Sequence, residues 1–167
     1  MKTRLNSELV HLYAAAVVAA VRNRLHSQMA LREGKPVLSR LLSALESSES
    51  AHARRFLMYL RGKADNNETF LDDYLKNKKT EIAPCYAALA RSYAQAGEPG
   101  KAENFQQFER VVAAQVDLLA HYRTEKEDMP NDVYVCQICG FLSTAPPSTN
   151  CPVCNAVQEK FERFSTL

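Results

Sequence analysis

Apolar positions along the first three quarters of the chain recur with the spacing of helices. From Leu5 to about Glu127, Ala and Leu are dense and β-branched runs are short. Breakers fall at Gly34-Lys35-Pro36, Gly62 to Asn67, Pro84 and Gly97-Glu98-Pro99-Gly100. The segments between them predict about four helices, near 5–32, 36–62, 68–96 and 101–127, each roughly 40 Å long at 1.5 Å per residue. In the second, Val37, Leu38, Leu41, Leu42, Leu45, Ala51, Phe56 and Leu60 fall largely on one stripe. Phe105, Phe108, Val111, Val112, Leu118 and Leu119 do the same in the fourth. Matched amphipathic helices joined by short loops predict an antiparallel bundle over residues 1–128. Pro84 lies inside the third helix and should kink or interrupt it, having no N–H and a ring that collides with the preceding turn.

Asp128-Met129-Pro130-Asn131 ends the helical pattern. Residues 132–167 have another chemistry: Val133-Tyr134-Val135, two cysteine pairs, three prolines and a short Phe-rich tail. So short a segment carries too little apolar area to fold alone, and a bound metal is the usual remedy.

Composition narrows the picture only slightly. The 167 residues are 46% hydrophobic and 24% charged, with a net charge of +2. That balance gives no electrostatic reason to expect nucleic acid or an anionic membrane as partner. Leu12 to Val21 has about the length of a signal-peptide core, but Glu8 and His11 precede it and it runs on into the helical pattern. No stretch approaches the roughly 20 apolar residues of a membrane span. A cytoplasmic protein is the expectation.

Four of the five cysteines form the pattern Cys136-Gln-Ile-Cys139-Gly140, ten residues, then Cys151-Pro-Val-Cys154. Two residues between cysteines let both thiolates reach one ion while turn N–H groups point at the sulfurs, and Gly140 supplies the conformation needed after the second cysteine. Four thiolates in tetrahedral array suit zinc or iron. Cys85 stands far upstream and alone, and is expected to be a small buried hydrophobe in a helix.

The residues around these pairs carry a resemblance. Tyr134-Val135-Cys136, Cys139-Gly140-Phe141, Cys151-Pro152-Val153-Cys154 and the closing Phe161-Glu162-Arg163-Phe164 resemble the rubredoxin-like tail of rubrerythrins. The resemblance implies one iron on Cys136, Cys139, Cys151 and Cys154, carrying single electrons; the spacing leaves zinc as the alternative. It extends to the helices, since Glu49-Ser-Ala-His52 looks like the family's Glu-x-x-His iron-binding segment. Lys79 to Ala87 resembles its third helix, proline included, and Phe108 to Tyr122 its fourth. The implied fold is mainly α: a ferritin-like antiparallel four-helix bundle, then a small rubredoxin-like metal-knuckle β domain.

A di-iron centre of that family takes further glutamates from helices one and three and a second Glu-x-x-His from helix four. An ungapped match puts Ala16, Leu75, Lys78, Gln115 and Leu118 at those places, leaving Glu49 and His52 as the remnant of the motif. Glu8 with His11, and Asp117 with His121, are the other pairs at helical spacing. A pairing of Lys78 with Glu49 in place of metal is a further expectation. The resemblance implies an oxidoreductase of peroxide-reductase type; the residues present suggest an electron carrier linked to oxidative-stress defence with a degenerate di-iron site. A zinc-holding adaptor is a third reading. Implied partners are a second copy of the chain and a redox donor such as a reductase or rubredoxin.

Overall fold

Proline opens two of the helices. Pro36 and Pro99 sit in the first turn of α2 (Pro36–Arg61) and α5 (Pro99–Thr124), where a missing N–H leaves no bond unmade and the fixed φ suits the helix. The computed structural model describes residues 2–62, 66–125 and 129–165. It adds α1 (Lys2–Arg32), α3 (Asn67–Asn77), a π-helical turn (Lys78–Ile82) and α4 (Ala83–Gln95). Three strands follow: β1 (Asp132–Cys136), β2 (Leu142–Ser143) and β3 (Phe161–Ser165). The mainly helical class with a small terminal β domain is as the sequence pattern implies. The chain divides into two compact units, Met1–Asp65 and Asn66–Leu167. The expected bundle boundary at Asp128 lies outside the described residues.

The first unit is the helical hairpin α1–α2. Gly34 turns the chain with φ 71°, so that Lys35 N–H reaches Ala30 O at 2.8 Å and Gly34 N–H reaches Leu31 O at 3.1 Å. This left-handed cap is open to glycine at little steric cost. The seam is made of small residues: Ala16, Ala20, Ala30 and Ala53 are its buried apolar positions. Ser27 is buried with them, its hydroxyl within bonding distance of Ser39 O (2.9 Å) and Ser43 Oγ (2.8 Å), so its polarity is met inside the seam. Small side chains let the two backbones approach, and the larger stripe is turned away. Leu38, Leu41 and Leu45 of α2 are exposed, as are Val10, Val17, Val18, Val21, Leu25 and Met29 of α1. At 3.6 residues per turn the α1 set falls on the side away from its alanines.

In the second unit the expected third helix is interrupted, as Pro84 requires. The π turn ends with Ala83 N–H on Lys78 O; widening the backbone by one residue makes room for the ring of Pro84 and spares the bond it cannot make. The extra residue also rotates everything after it by about 100°. Cys85 is therefore exposed, and the expectation that it is a buried hydrophobe is corrected. The turn at 96–98 brings α5 against α4, with Ala90, Ala102, Val111 and Val112 buried. Tyr93 stacks on Phe105 (5.4 Å), and Tyr86 and Phe108 extend the cluster at 5.6 Å. Asp72 and Arg123 form an ion pair from α3 to α5. The strands form an antiparallel sheet in the order β2-β1-β3, with Tyr134 opposite Ser143 and Cys136 opposite Phe161.

Candidate metal centre

Each cysteine pair sits in a turn closed by backbone bonds. In the first, Gly140 N–H donates to Cys136 O at 2.8 Å and Cys136 N–H to Phe141 O at 2.9 Å. Gly140 has φ 80°, the left-handed conformation expected of it. The second repeats the arrangement: Asn155 N–H donates to Cys151 O (2.9 Å) and Cys151 N–H to Ala156 O (2.7 Å). Here Asn155, φ 59°, stands where the first turn has its glycine. Asparagine is the non-glycine residue that most readily adopts this region, a signal present in the sequence but missed there. Gln137 N–H to Lys160 O (2.8 Å) ties the first turn to the approach of β3.

The two turns bring all four cysteines together. Their sulfurs lie within 4.8 Å of one another, with Cys136 to Cys154 and Cys139 to Cys151 both at 3.7 Å. A tetrahedral ion with metal–sulfur bonds near 2.3 Å places its sulfurs about 3.8 Å apart, whereas a disulfide needs about 2.0 Å. The donor set thus fits one thiophilic metal. Cys136 is 0% exposed and Cys151 is also buried. Among the described residues, these cysteines are the group of three or more possible ligands that comes together.

Backbone donors surround the sulfurs. The N–H of Phe141 is aimed at Cys139, that of Ala156 at Cys154, and those of Cys154 and Val153 at Cys151. Burial is the largest influence on all three thiols and pushes Cys139 and Cys154 above their ordinary range. At Cys151 burial acts in the same sense, but the N–H donors of Cys154 and Val153 and the neighbouring thiols outweigh it and lower the pKa. The metal takes thiolates, so at neutral pH it must displace protons from Cys139 and Cys154 at least. Affinity therefore falls as acid is added, up to tenfold per pH unit for each proton displaced. Competition with a chelator of known pH dependence should show metal affinity about 10⁴-fold weaker at pH 5 than at pH 7, given two such protons.

The centre leans on α5. Arg110 donates from Nη2 to Val153 O at 3.2 Å, and Val111 Cγ1 lies 3.9 Å from where a Cβ on Gly140 would stand. An open cleft of about 580 Å³ between them is lined by Glu103 and Gln107 of α5 and by residues 149–155. Helix periodicity hints at this face only weakly, because three of its four residues are polar.

The helical candidates are placed as follows. Glu49 and His52 lie one turn apart on α2, with His52 Nδ1 3.6 Å from Glu49 Oε2. His121 Nδ1 is 3.7 Å from Glu125 Oε2. Lys78 has its ammonium 5.1 Å from the centroid of the Tyr74 ring, and Tyr74 Oη donates to Gln115 Oε1 at 3.3 Å. Glu49 and Lys78 belong to different units, and the partner described for each lies on its own stretch of helix. Tyr74 had drawn no attention in the sequence.

Residues 134–162 match the family model of the rubrerythrin rubredoxin-like domain. Among solved structures, the fully reduced, all-ferrous state of nigerythrin is similar over 95% of this chain and 86% of that one, with TM-score 0.54 and 16% identity. The partially reduced state of nigerythrin is similar over the same shares, with TM-score 0.53 and 17% identity. No curated protein matches the chain. The structural likeness is one of fold, along nearly the whole chain; the family model covers the cysteine domain.

Proposed function

We propose that this chain, a rubrerythrin-family protein by its fold and its cysteine domain, holds one iron on Cys136, Cys139, Cys151 and Cys154 and passes single electrons in cytoplasmic peroxide defence. The observation that carries the reading is the set of four sulfurs at tetrahedral spacing with backbone N–H groups aimed at three of them. Bound there, iron supplies a one-electron couple. The chain's part is to keep the ligand geometry fixed, so that little rearrangement accompanies the electron, and to donate N–H bonds to the thiolates. Ile138, 62% exposed between the first two cysteines, offers an apolar contact for a redox donor protein.

The peroxide-reducing di-iron centre is the part of the family's chemistry this reading leaves out. Leu75 and Leu118 offer no donor atom, and Lys78 brings a cation where ligands carry negative charge. Glu49 and His52 alone cannot hold two irons. Metal analysis of protein purified without oxygen, with its visible spectrum, tests the reading. About one iron per chain and a red colour that bleaches on reduction are expected. About three irons would instead make the chain an active di-iron reductase with unconventional ligands, and one zinc with no colour after iron loading a structural adaptor. We further propose that the chain works as a homodimer.

A further inference from the structure

We propose that Arg110 is the positioning residue that fastens the second cysteine turn to α5 and, through one peptide group, eases one-electron reduction at the four-cysteine site. This rests on the electron-carrying reading above. Glu103, Gln107, Arg110 and Val111 are spaced i, i+4, i+7 and i+8, which places them on one face of α5. That face meets the cysteine domain at two points. Val111 packs toward Gly140 in the first turn, and Arg110 donates to Val153 O in the second.

The second contact has an electronic consequence. Val153 O and the N–H of Cys154 are the two ends of a single peptide group. That N–H is aimed at the sulfur of Cys151. The guanidinium, the sulfur and the peptide between them therefore form a short relay. A cation on the carbonyl polarises the peptide and makes its N–H a stronger donor, since bonded groups in series reinforce one another. Reduction adds one electron and no proton, breaks no bond to sulfur, and leaves the site one unit more negative. Stronger N–H donation to sulfur and a nearby cation both favour the more negative state. Arg110 is thus expected to raise the reduction potential. Its side chain is exposed, so removing it leaves no cavity in the fold.

Two variants test this in the full chain: Arg110→Met, which removes both donor and charge at similar length, and Arg110→Lys, which keeps a charge and a donor. In iron-loaded protein poised at a fixed potential, R110M should show a reduced-to-oxidised ratio about fivefold lower than wild type, or about 40 mV at 59 mV per tenfold. R110K should recover more than half of that shift. In zinc-loaded protein, amide exchange at Cys154 should be about fivefold faster in R110M. A ratio unchanged in R110M, a value for R110K as low as for R110M, or unaltered exchange at Cys154 would each overturn the proposal. Should the protein take up no iron, the electron-carrying reading falls by itself, and the zinc-loaded exchange measurement then decides the clamp alone.

Discussion

Replacing Cys136 by alanine is expected to unfold the C-terminal domain while leaving the helices in place. Cys136 is the most deeply buried side chain described, the last residue of β1 and the partner of Phe161 across the sheet. It joins strand to ligand set. From Asp132 to Ser165 the segment buries only Cys136 and Cys151 fully, so apolar burial is thin. Ordering the backbone costs about 1–2 kcal/mol per residue, and two small buried thiols offset little of that at about 25 cal/mol per Å². A structural tetrathiolate site contributes on the order of 10–16 kcal/mol of apparent binding energy, enough to be most of what holds such a segment. In C136A, three sulfurs remain and several kcal/mol of that term go. The expected result is loss of amide protection across β1, β2 and β3, with the helical circular dichroism signal nearly unchanged. Stripping the metal from the unaltered chain with a strong chelator should do the same. Retained protection of Val133 and Val135 in either experiment would mean that side-chain packing, not the metal, folds the domain.

How much of this was legible beforehand varies with the kind of signal. The helix ends were, because Gly34-Lys35-Pro36 and Pro99 act through local backbone chemistry that needs no tertiary partner. The metal site was for a similar reason: paired cysteines at that spacing have few other uses, and both turns close as expected. Pro84 announced an interruption, but not that it would take the form of a π turn at 78–82. The face presented by Cys85 depended on that form. The stripe of leucines on α2 pointed to a core, yet Ala53 and the alanines of α1 occupy the seam. Periodicity ranks residues by hydrophobicity, whereas two close helices select for small size. Arg110 and Tyr74 went unseen, and Gln115 was placed without its partner, because the Arg110 contact spans 43 residues and the Tyr74–Gln115 contact 41, and a single polar contact at that range leaves no pattern in one sequence.

The leucines and valines displaced from the seam lead to the second large effect. Val10, Val17, Val18, Val21, Leu25 and Met29 of α1 and Leu38, Leu41, Leu45 and Tyr59 of α2 all stand exposed. Single exposed apolar residues are ordinary on a protein surface, but stripes of them along both helices of one hairpin mark a surface that meets a partner. A second copy of the chain is the occupant that matches, because it brings an equal face and a two-fold contact closes on itself. Sedimentation equilibrium at micromolar concentration should therefore find a dimer. Val18 and Val21 are 56% and 55% exposed in the single chain, away from the alanine seam, so glutamate at both leaves the hairpin its packing. In the dimer each substitution counts twice, and an unpaired buried carboxylate costs several kcal/mol. Val18→Glu with Val21→Glu is expected to weaken association by 10³-fold or more while the helical signal is kept, at about 1.4 kcal/mol per tenfold. A wild-type chain that stays monomeric at 100-fold higher concentration, or a double variant that dimerises as tightly, would show that these stripes meet something other than a second copy.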